Sequence, residues 1–247
     1  MKTSPDEPKT VDARYHRHTG KWVTRRISLM ARLRIYQHFT RNMEPGPNDR
    51  LLDVGASDDT GPDSNILEQL YPHREKLTCA SLSNGHSIVA AYPDVRHVPI
   101  IAGQPLPFGT NEFDIVYCNA VLEHAGARES QSELVQELCR VAPRRFIAVP
   151  NRRFPIEHHT CLPLIHWLPI SWFRRLLRGT RYDVWSHEEN LNYISATDIC
   201  AIWPTRELPK ITYGGIGFGP WSSNLLICQT SHSASTLRCG DPGAQRA

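Results

Sequence analysis

Between residues 51 and 149, short apolar runs alternate with helix-patterned segments. That rhythm constrains the fold more than any other feature of the chain. Residues 51–54, 77–82, 98–101, 113–118 and 146–149 read as five strands. Residues 65–70, 87–91 and 120–124 read as helical pieces between them. Ser130-Gln131-Ser132-Glu133 has capping-box spacing ahead of Leu134, Leu138 and Val141, and predicts a further helix. Strands separated by helices pair in parallel through right-handed crossovers. The expectation is an α/β fold with a mostly parallel central sheet and helices on both faces.

The flanks follow other patterns. Val23, Ile27, Met30, Leu33, Tyr36 and Phe39 recur at steps of three and four, predicting a helix over 20–42 that Pro45-Gly46-Pro47 ends. Arg25, Arg26, Arg32 and Arg34 fall largely off that stripe. Residues 1–19 are expected to be a flexible arm. After the fifth strand the rhythm stops: residues 150–190 are rich in Pro, Trp, His and Arg and read as an inserted lid, with a helix near 172–177. Residues 195–203 suggest another helix, and 211–213 with 224–228 a closing antiparallel pair. The Ser- and Gly-rich end, 231–247, is expected to be disordered. Residues 20–230 then form one domain.

Seven cysteines are scattered at 79, 118, 139, 161, 200, 228 and 239 with no C-x-x-C pair, which argues against a zinc ribbon or a redox motif. The odd cysteine count and the absence of a signal-peptide pattern make the cytoplasm the expected location, with peripheral membrane contact left open, and no apolar run reaches the roughly 18–20 residues of a membrane span. The formal net charge is only +3, yet residues 11–43 carry eight basic residues against one acidic, and residues 144–181 do the same. Two such segments suit an anionic partner, such as a phosphorylated substrate, a lipid headgroup or nucleic acid. Solvated arginines on helix faces are the plain alternative.

Open α/β sheets bind ligands at the carboxyl ends of their strands. The first strand ends in Asp53-Val54-Gly55-Ala56-Ser57-Asp58-Asp59-Thr60-Gly61, where Gly55 permits a sharp turn and close approach to a ligand. Ser57 stands where a dinucleotide fingerprint would place its second glycine, and no P-loop pattern is present. Leu51-Leu52-Asp53-Val54-Gly55, then Leu106-Pro107-Phe108 with Glu112-Phe113-Asp114-Ile115-Val116, then Asn119-Ala120-Val121-Leu122-Glu123-His124, occur in order. In these motifs, over about residues 48–150, the chain resembles the class I S-adenosylmethionine-dependent methyltransferases, which have a Rossmann-like fold. Pro150-Asn151-Arg152-Arg153-Phe154-Pro155-Ile156-Glu157 with His159-Thr160 further resembles a bacterial subgroup with a P-N-R-x-F-P-x-E-x-H-T signature, akin to the type 11 methyltransferases.

The resemblance implies S-adenosyl-L-methionine as cofactor, held by Asp53, Gly55, Ala56, Ser57, Ser81, Gln104 and Asn119. Two positions depart from the family. Ser81 stands where an acidic residue usually grips the ribose, and Ala102 where an aspartate often meets adenine; Gln104 offers an amide instead. Methyl transfer from a sulfonium is an in-line displacement that needs alignment and exclusion of water, with a base only for weakly acidic acceptors. His159 is the expected base or orienter, held by Glu157. Asn151, Arg152, His158, His166 and Trp167 are the expected substrate contacts. Pinning of the lid by these same residues is the alternative. Trp167, Trp172, Phe173 and Trp185 read either as a wall over the substrate or as lid core. His124 is expected to be structural. A metal site of Glu157, His159 and His166 has no recognised ligand spacing, and none is expected.

The expected function is methylation of a small-molecule or lipid- or saccharide-linked acceptor, with the two basic segments favouring an anionic one. A catalytically weak or inactive binding protein with this fold is the alternative, suggested by Ser81 and Ala102. RNA modification ranks lower and DNA is not expected as a partner, since no N-P-P-Y-like motif follows the fourth strand. Oligomeric state is not legible in the chain.

Overall fold

The computed structural model describes residues 22–230, with side chains from residue 25 onward. The predicted arm at 1–19, the predicted tail at 231–247 and the contact expected of Val23 lie outside the described residues. Seven strands form one sheet: β1 (Leu51–Val54), β2 (Leu77–Ser81), β3 (Arg96–Pro99), β4 (Ile115–Asn119), β5 (Arg144–Pro150), β6 (Lys210–Gly214) and β7 (Asn224–Gln229). Their order is β3-β2-β1-β4-β5-β7-β6. β1 to β5 pair in parallel, and β7 runs antiparallel to both β5 and β6. β1, β2, β4, β5 and β7 are nearly continuous buried runs, as strands covered on both faces must be, whereas β3 is a half-exposed edge.

Among the described residues the α-helices are α1 (Trp22–Met43), α2 (Ile66–Leu70), α3 (His86–Ala91), α4 (Arg128–Val141), α5 (Ile170–Leu177) and α6 (Ala196–Ile202). α1, α2 and α3 cover one face, through Ile35, Phe39, Leu67 and Ile88. α4 and α6 cover the other, through Val135, Leu138, Val141 and Ile199. This is a Rossmann-like α/β fold with a closing antiparallel strand. The segment after β5 builds a small core of its own from Phe173, Leu177, Trp185 and Leu191.

Three expectations need correction. Only the second half of the stripe on α1 is buried: Ile27 and Met30 are exposed, while Phe39 packs on the sheet with Tyr36 against the same core, joined by Ile35 and Met43 from outside the stripe. The first half of the helix overhangs a cavity instead of packing on strands, so its apolar positions meet an opening. Residues 120–124 are not an α-helix. Ala120 takes a left-handed φ of 58° and only a 3-10 turn, Leu122–His124, follows. The capping box at Ser130 is unused, because α4 starts earlier, with Ala127 at its N-cap and no side-chain cap. A working capping box sits on α6, where Ser195 and Asp198 bond reciprocally.

Candidate active site

The loop after β1 is folded by its own polar side chains. Gly55 has φ 102°, and a Cβ there would stand 2.1 Å from Cγ2 of Val121 on the segment after β4. Only glycine lets these two loops lie against each other. Asn65, itself at φ 48°, closes the loop: its amide donates to the Ser57 and Asp59 carbonyls, and its Oδ1 accepts from the Ser57 N–H. Arg25 of α1 reaches Asp59 and Asp63, both at 3.5 Å. The N-terminal helix is thereby tied over the loop.

Asp53, at the third position of β1, is buried beside Glu68 of α2. Neither Glu68 oxygen meets a hydrogen-bond donor among the described residues. Two carboxyls facing each other out of water cannot both ionise. Burial and then the Glu68 charge push the Asp53 pKa well above the carboxylate range, and burial raises Glu68 as well. Arg32, on the cavity wall, acts in the opposite direction on Asp53.

Two cavities of about 530 Å³ each open at the carboxyl ends of the strands. They share Gly55, Ala56, Ala120 and His124. The first also holds Asp53, Ser57 and Asn119; the second holds Ser81 and Gln104. The expected cofactor residues therefore divide between two adjoining spaces. The Ser81 hydroxyl already lies 2.9 Å from His97 Nε2 and 2.8 Å from the Ser83 hydroxyl. The missing acid at this strand end is replaced by a serine–histidine cluster.

On the far wall of the first cavity stand Glu123, His124, Glu157, His158 and His159. Glu157 is fully buried and accepts from the His159 and Thr160 N–H groups and from the Tyr193 hydroxyl, with His159 Nδ1 2.8 Å from its Oε1. Burial alone would raise the Glu157 pKa, but His159 and these donors hold it far below the usual carboxylate range. For His159 burial disfavours the charged form, and Glu157 outweighs it, leaving the pKa raised. Nε2 of His159 lies 3.3 Å from Nε2 of His124, whose Nδ1 lies 2.6 Å from the Asn190 carbonyl. Desolvation and then His159 push His124 down to about 3. Desolvation with the same neighbour takes His158 to about 4. Glu123 is 1% exposed and burial lifts its pKa to about 7.

Other expected substrate contacts are spent on architecture. Asn151 donates to the Pro220 and Ser222 carbonyls and accepts from the Arg153 N–H, stapling the end of β5 to the β6–β7 connection. Arg152 donates to the His166 and Leu168 carbonyls. His166 bonds the Phe154 carbonyl, and Trp167 packs 5.6 Å from Trp221. None of these four lines either cavity. Phe173 and Trp185 are lid core, while Trp172 is 65% exposed.

Solved structures share this architecture. The N-methyltransferase NodS of Bradyrhizobium japonicum, in complex with S-adenosyl-L-homocysteine, is 14% identical with TM-score 0.54, over 90% of this chain and 99% of that one. A methyltransferase of Thermotoga maritima, titled a possible histamine N-methyltransferase, is 11% identical with TM-score 0.54, over 90% and 100%. PigF with SAH is 15% identical with TM-score 0.50 over 84% of this chain, which spans 58% of the length of PigF. No curated protein sequence matches the chain. Residues 52–145 match the family model described as a methyltransferase domain. Residues 52–145 are thus similar to that family, and the fold is one shared with solved S-adenosylmethionine-dependent methyltransferases.

The site also contains residues that periodicity and motif reading pass over. Asn65, Glu68, His97 and Tyr193 reach it from elements far apart in sequence, and each looks like an ordinary polar residue of its own segment. Glu123 lies inside a motif already singled out, and its missing signal is burial: an acid next to a histidine in a turn gives no sign that both face inward.

Proposed function

We propose that this methyltransferase transfers the methyl group of S-adenosylmethionine to a small-molecule or lipid- or saccharide-linked acceptor held in the first cavity. One observation carries the reading: two cavities meet at Gly55, Ala56, Ala120 and His124, and the buried carboxylates Asp53, Glu123 and Glu157 line only the first. The residues suit the cofactor. Gly55 leaves the loop without a side chain where a Cβ would collide, and the buried Asp53–Glu68 pair has more acid than base around it. Asp53, Gly55, Ala56, Ser57 and Asn119 would hold the methionine end, and Ser81 and Gln104 the ribose and adenine. When bound, the cofactor supplies an electrophilic methyl group on sulfonium. The chain aligns the acceptor and keeps water out. His158, whose Nε2 meets no partner among the described residues, offers the acceptor a hydrogen bond. His159, held by Glu157, acts on the acceptor through His124, because its own Nε2 faces that ring.

Surface chemistry supports an anionic or membrane-associated acceptor. Ile27, Phe154, Ile156 and Ile216 line the first cavity together with Arg25 and Arg32, so residues of both basic segments' elements meet at one opening. α5 buries Phe173 and Leu177 and exposes Ile170, Trp172 and Leu176 next to exposed Arg175 and Arg178. An amphipathic helix with an outward tryptophan and arginines suits an anionic membrane surface. No described helix is long and apolar enough to cross a membrane.

The test is incubation with cofactor labelled in the methyl group and separated lipid-extractable and soluble fractions of cell extract. Label in a product of either fraction supports transfer, and the fraction names the acceptor class. No labelled product from either, with cofactor bound, favours a second reading: a binding protein on the methyltransferase fold. The Ser81 hydroxyl, already engaged by His97 and Ser83, and the apolar Ala102 motivate that reading.

A further inference from the structure

We infer that Glu123, His124 and His159 form a site for a divalent transition-metal ion on the wall of the acceptor cavity. Their ligand atoms, one carboxylate oxygen and two imidazole nitrogens, all lie within 4.8 Å of one another. The two Nε2 atoms are 3.3 Å apart, and Glu123 Oε1 is 3.9 Å from His124 Nε2. Two nitrogens held about 2.0–2.1 Å from one ion at a tetrahedral angle lie about 3.3–3.4 Å apart. The imidazole pair is therefore already at coordination spacing, and a rotation of the Glu123 carboxylate closes the third side.

The surroundings are those of metal ligands. A ligating histidine is oriented by a carboxylate or carbonyl on its other nitrogen. Here His159 Nδ1 is held by Glu157 at 2.8 Å and His124 Nδ1 by the Asn190 carbonyl at 2.6 Å. Both rings are thus set with Nε2 toward the same point. Glu157 is itself fixed by two backbone N–H groups and Tyr193. The second observation is independent. Both Glu123 carboxylate oxygens are buried with no hydrogen-bond partner among the described residues, while the Glu123 carbonyl is anchored by the Asn192 N–H at 2.7 Å. A buried carboxylate without donors is costly unless a cation compensates it. An imidazole–imidazole hydrogen bond can satisfy the two rings alone, but it leaves Glu123 unanswered.

Two imidazoles and one carboxylate suit Zn²⁺, Mn²⁺ or Co²⁺ better than the all-oxygen cages of Ca²⁺ or the water-rich sites of Mg²⁺. Three protein ligands leave at least one position open, as in catalytic sites, and all three side chains border the first cavity. An ion there would bind a hydroxyl or carboxylate of the acceptor and lower a hydroxyl's pKa. This ligand set differs from the Glu157–His159–His166 grouping dismissed on spacing: Glu157 supports the ligand from behind, and His166 is occupied by the Phe154 carbonyl. The inference deepens the proposed function and rests on it for the acceptor's role, though cation binding is measurable without any methyl transfer.

The experiment uses the full chain freed of metal by chelation and dialysis, then titrated with CoCl₂. Calorimetry and visible d–d absorption report binding, and thermal melting serves as a check that needs no variant. We expect one equivalent bound, a ligand-field band and a raised Tm. Glu123→Gln keeps shape while removing the charge and should weaken Co²⁺ at least tenfold. Glu157→Gln, behind the ligand, should weaken it about 10–100-fold. Absence of Co²⁺ uptake and of any Tm shift at millimolar metal overturns the inference, as does Glu123→Gln binding Co²⁺ as tightly as the parent. Cofactor affinity of the metal-free protein, measured separately, reports on the proposed function: its loss with Co²⁺ binding intact removes the methyltransferase reading and leaves the cation site standing.

Discussion

The two cavities that meet at Gly55 are equal in volume and differ in how deeply their acids are buried. The first gathers Asp53, Glu123, Glu157 and three histidines, nearly all withdrawn from water. The second has the apolar side chains Leu82, Ile100, Ile101, Leu106, Val121 and Leu134 beside Ser81 and Gln104, and its acids are the exposed Glu133 and the half-buried Glu137, which pairs with Arg140. The contrast teaches where specificity is held. On the first side, buried charge is fixed in place and expensive to leave uncompensated, so it demands a cationic or polar ligand. On the second side, apolar contact dominates, which suits a flat heterocycle but grips it with little charge.

The largest effect that could break this comparison is at the shared boundary. Gly55→Ala places a methyl group 2.1 Å from Val121 at a φ of 102°, so cofactor affinity should fall at least a hundredfold by calorimetry. Unchanged affinity would mean that the Gly55 loop does not hold the cofactor. Glu157→Gln comes next. It removes the charge that balances buried His159, and breaking such a pair typically costs about 3–5 kcal/mol. Denaturant unfolding should show that loss, while a change under about 1 kcal/mol would mean that His159 is neutral in the folded chain.

On the other side, Ser81→Asp restores an acid at the end of β2. A charge-assisted hydrogen bond is worth about 1.5–3 kcal/mol, and His97 at 2.9 Å competes for it. About tenfold tighter cofactor binding is expected. No gain would show that the serine–histidine cluster does not meet the ribose.

The smallest effect is a pH dependence on the first side. Asp53 and Glu68 both have raised pKa values in the folded chain. Their contribution to stability is full below the ordinary carboxylate range and is lost as pH rises through the folded values. Glu68→Gln removes one of the two acids, so the variant should gain stability relative to the parent as pH rises from the ordinary carboxylate range toward neutrality. Urea midpoints across that range check the sign. Parallel curves would mean that the pair is compensated by a cation already in place.

The sheet was largely legible because each strand is a local apolar run. β1 and β5 to β7 match their predicted positions closely, and every predicted strand pairs within a residue or two of its expected place. The site was legible only in part. Asp53, Gly55 and the Asn119–His124 segment lie at strand ends, where topology dictates that ligands bind. The lid residues misled, because Asn151, Arg152 and His166 have the chemistry of binding groups but end on backbone carbonyls. Pro-, Trp- and His-rich loops carry no period from which direction can be read.

The alternation of runs between residues 51 and 149 by itself determined a parallel α/β sheet and the position of the glycine loop, since hydrophobic periodicity and backbone freedom are local properties. Tertiary structure alone decided that the residues expected to hold the cofactor divide between two cavities, that α1 overhangs one of them, and that Glu123, His124 and His159 converge. Those outcomes depend on burial and on distances between side chains up to 36 positions apart, which are created only when the sheet closes and the lid folds back upon it.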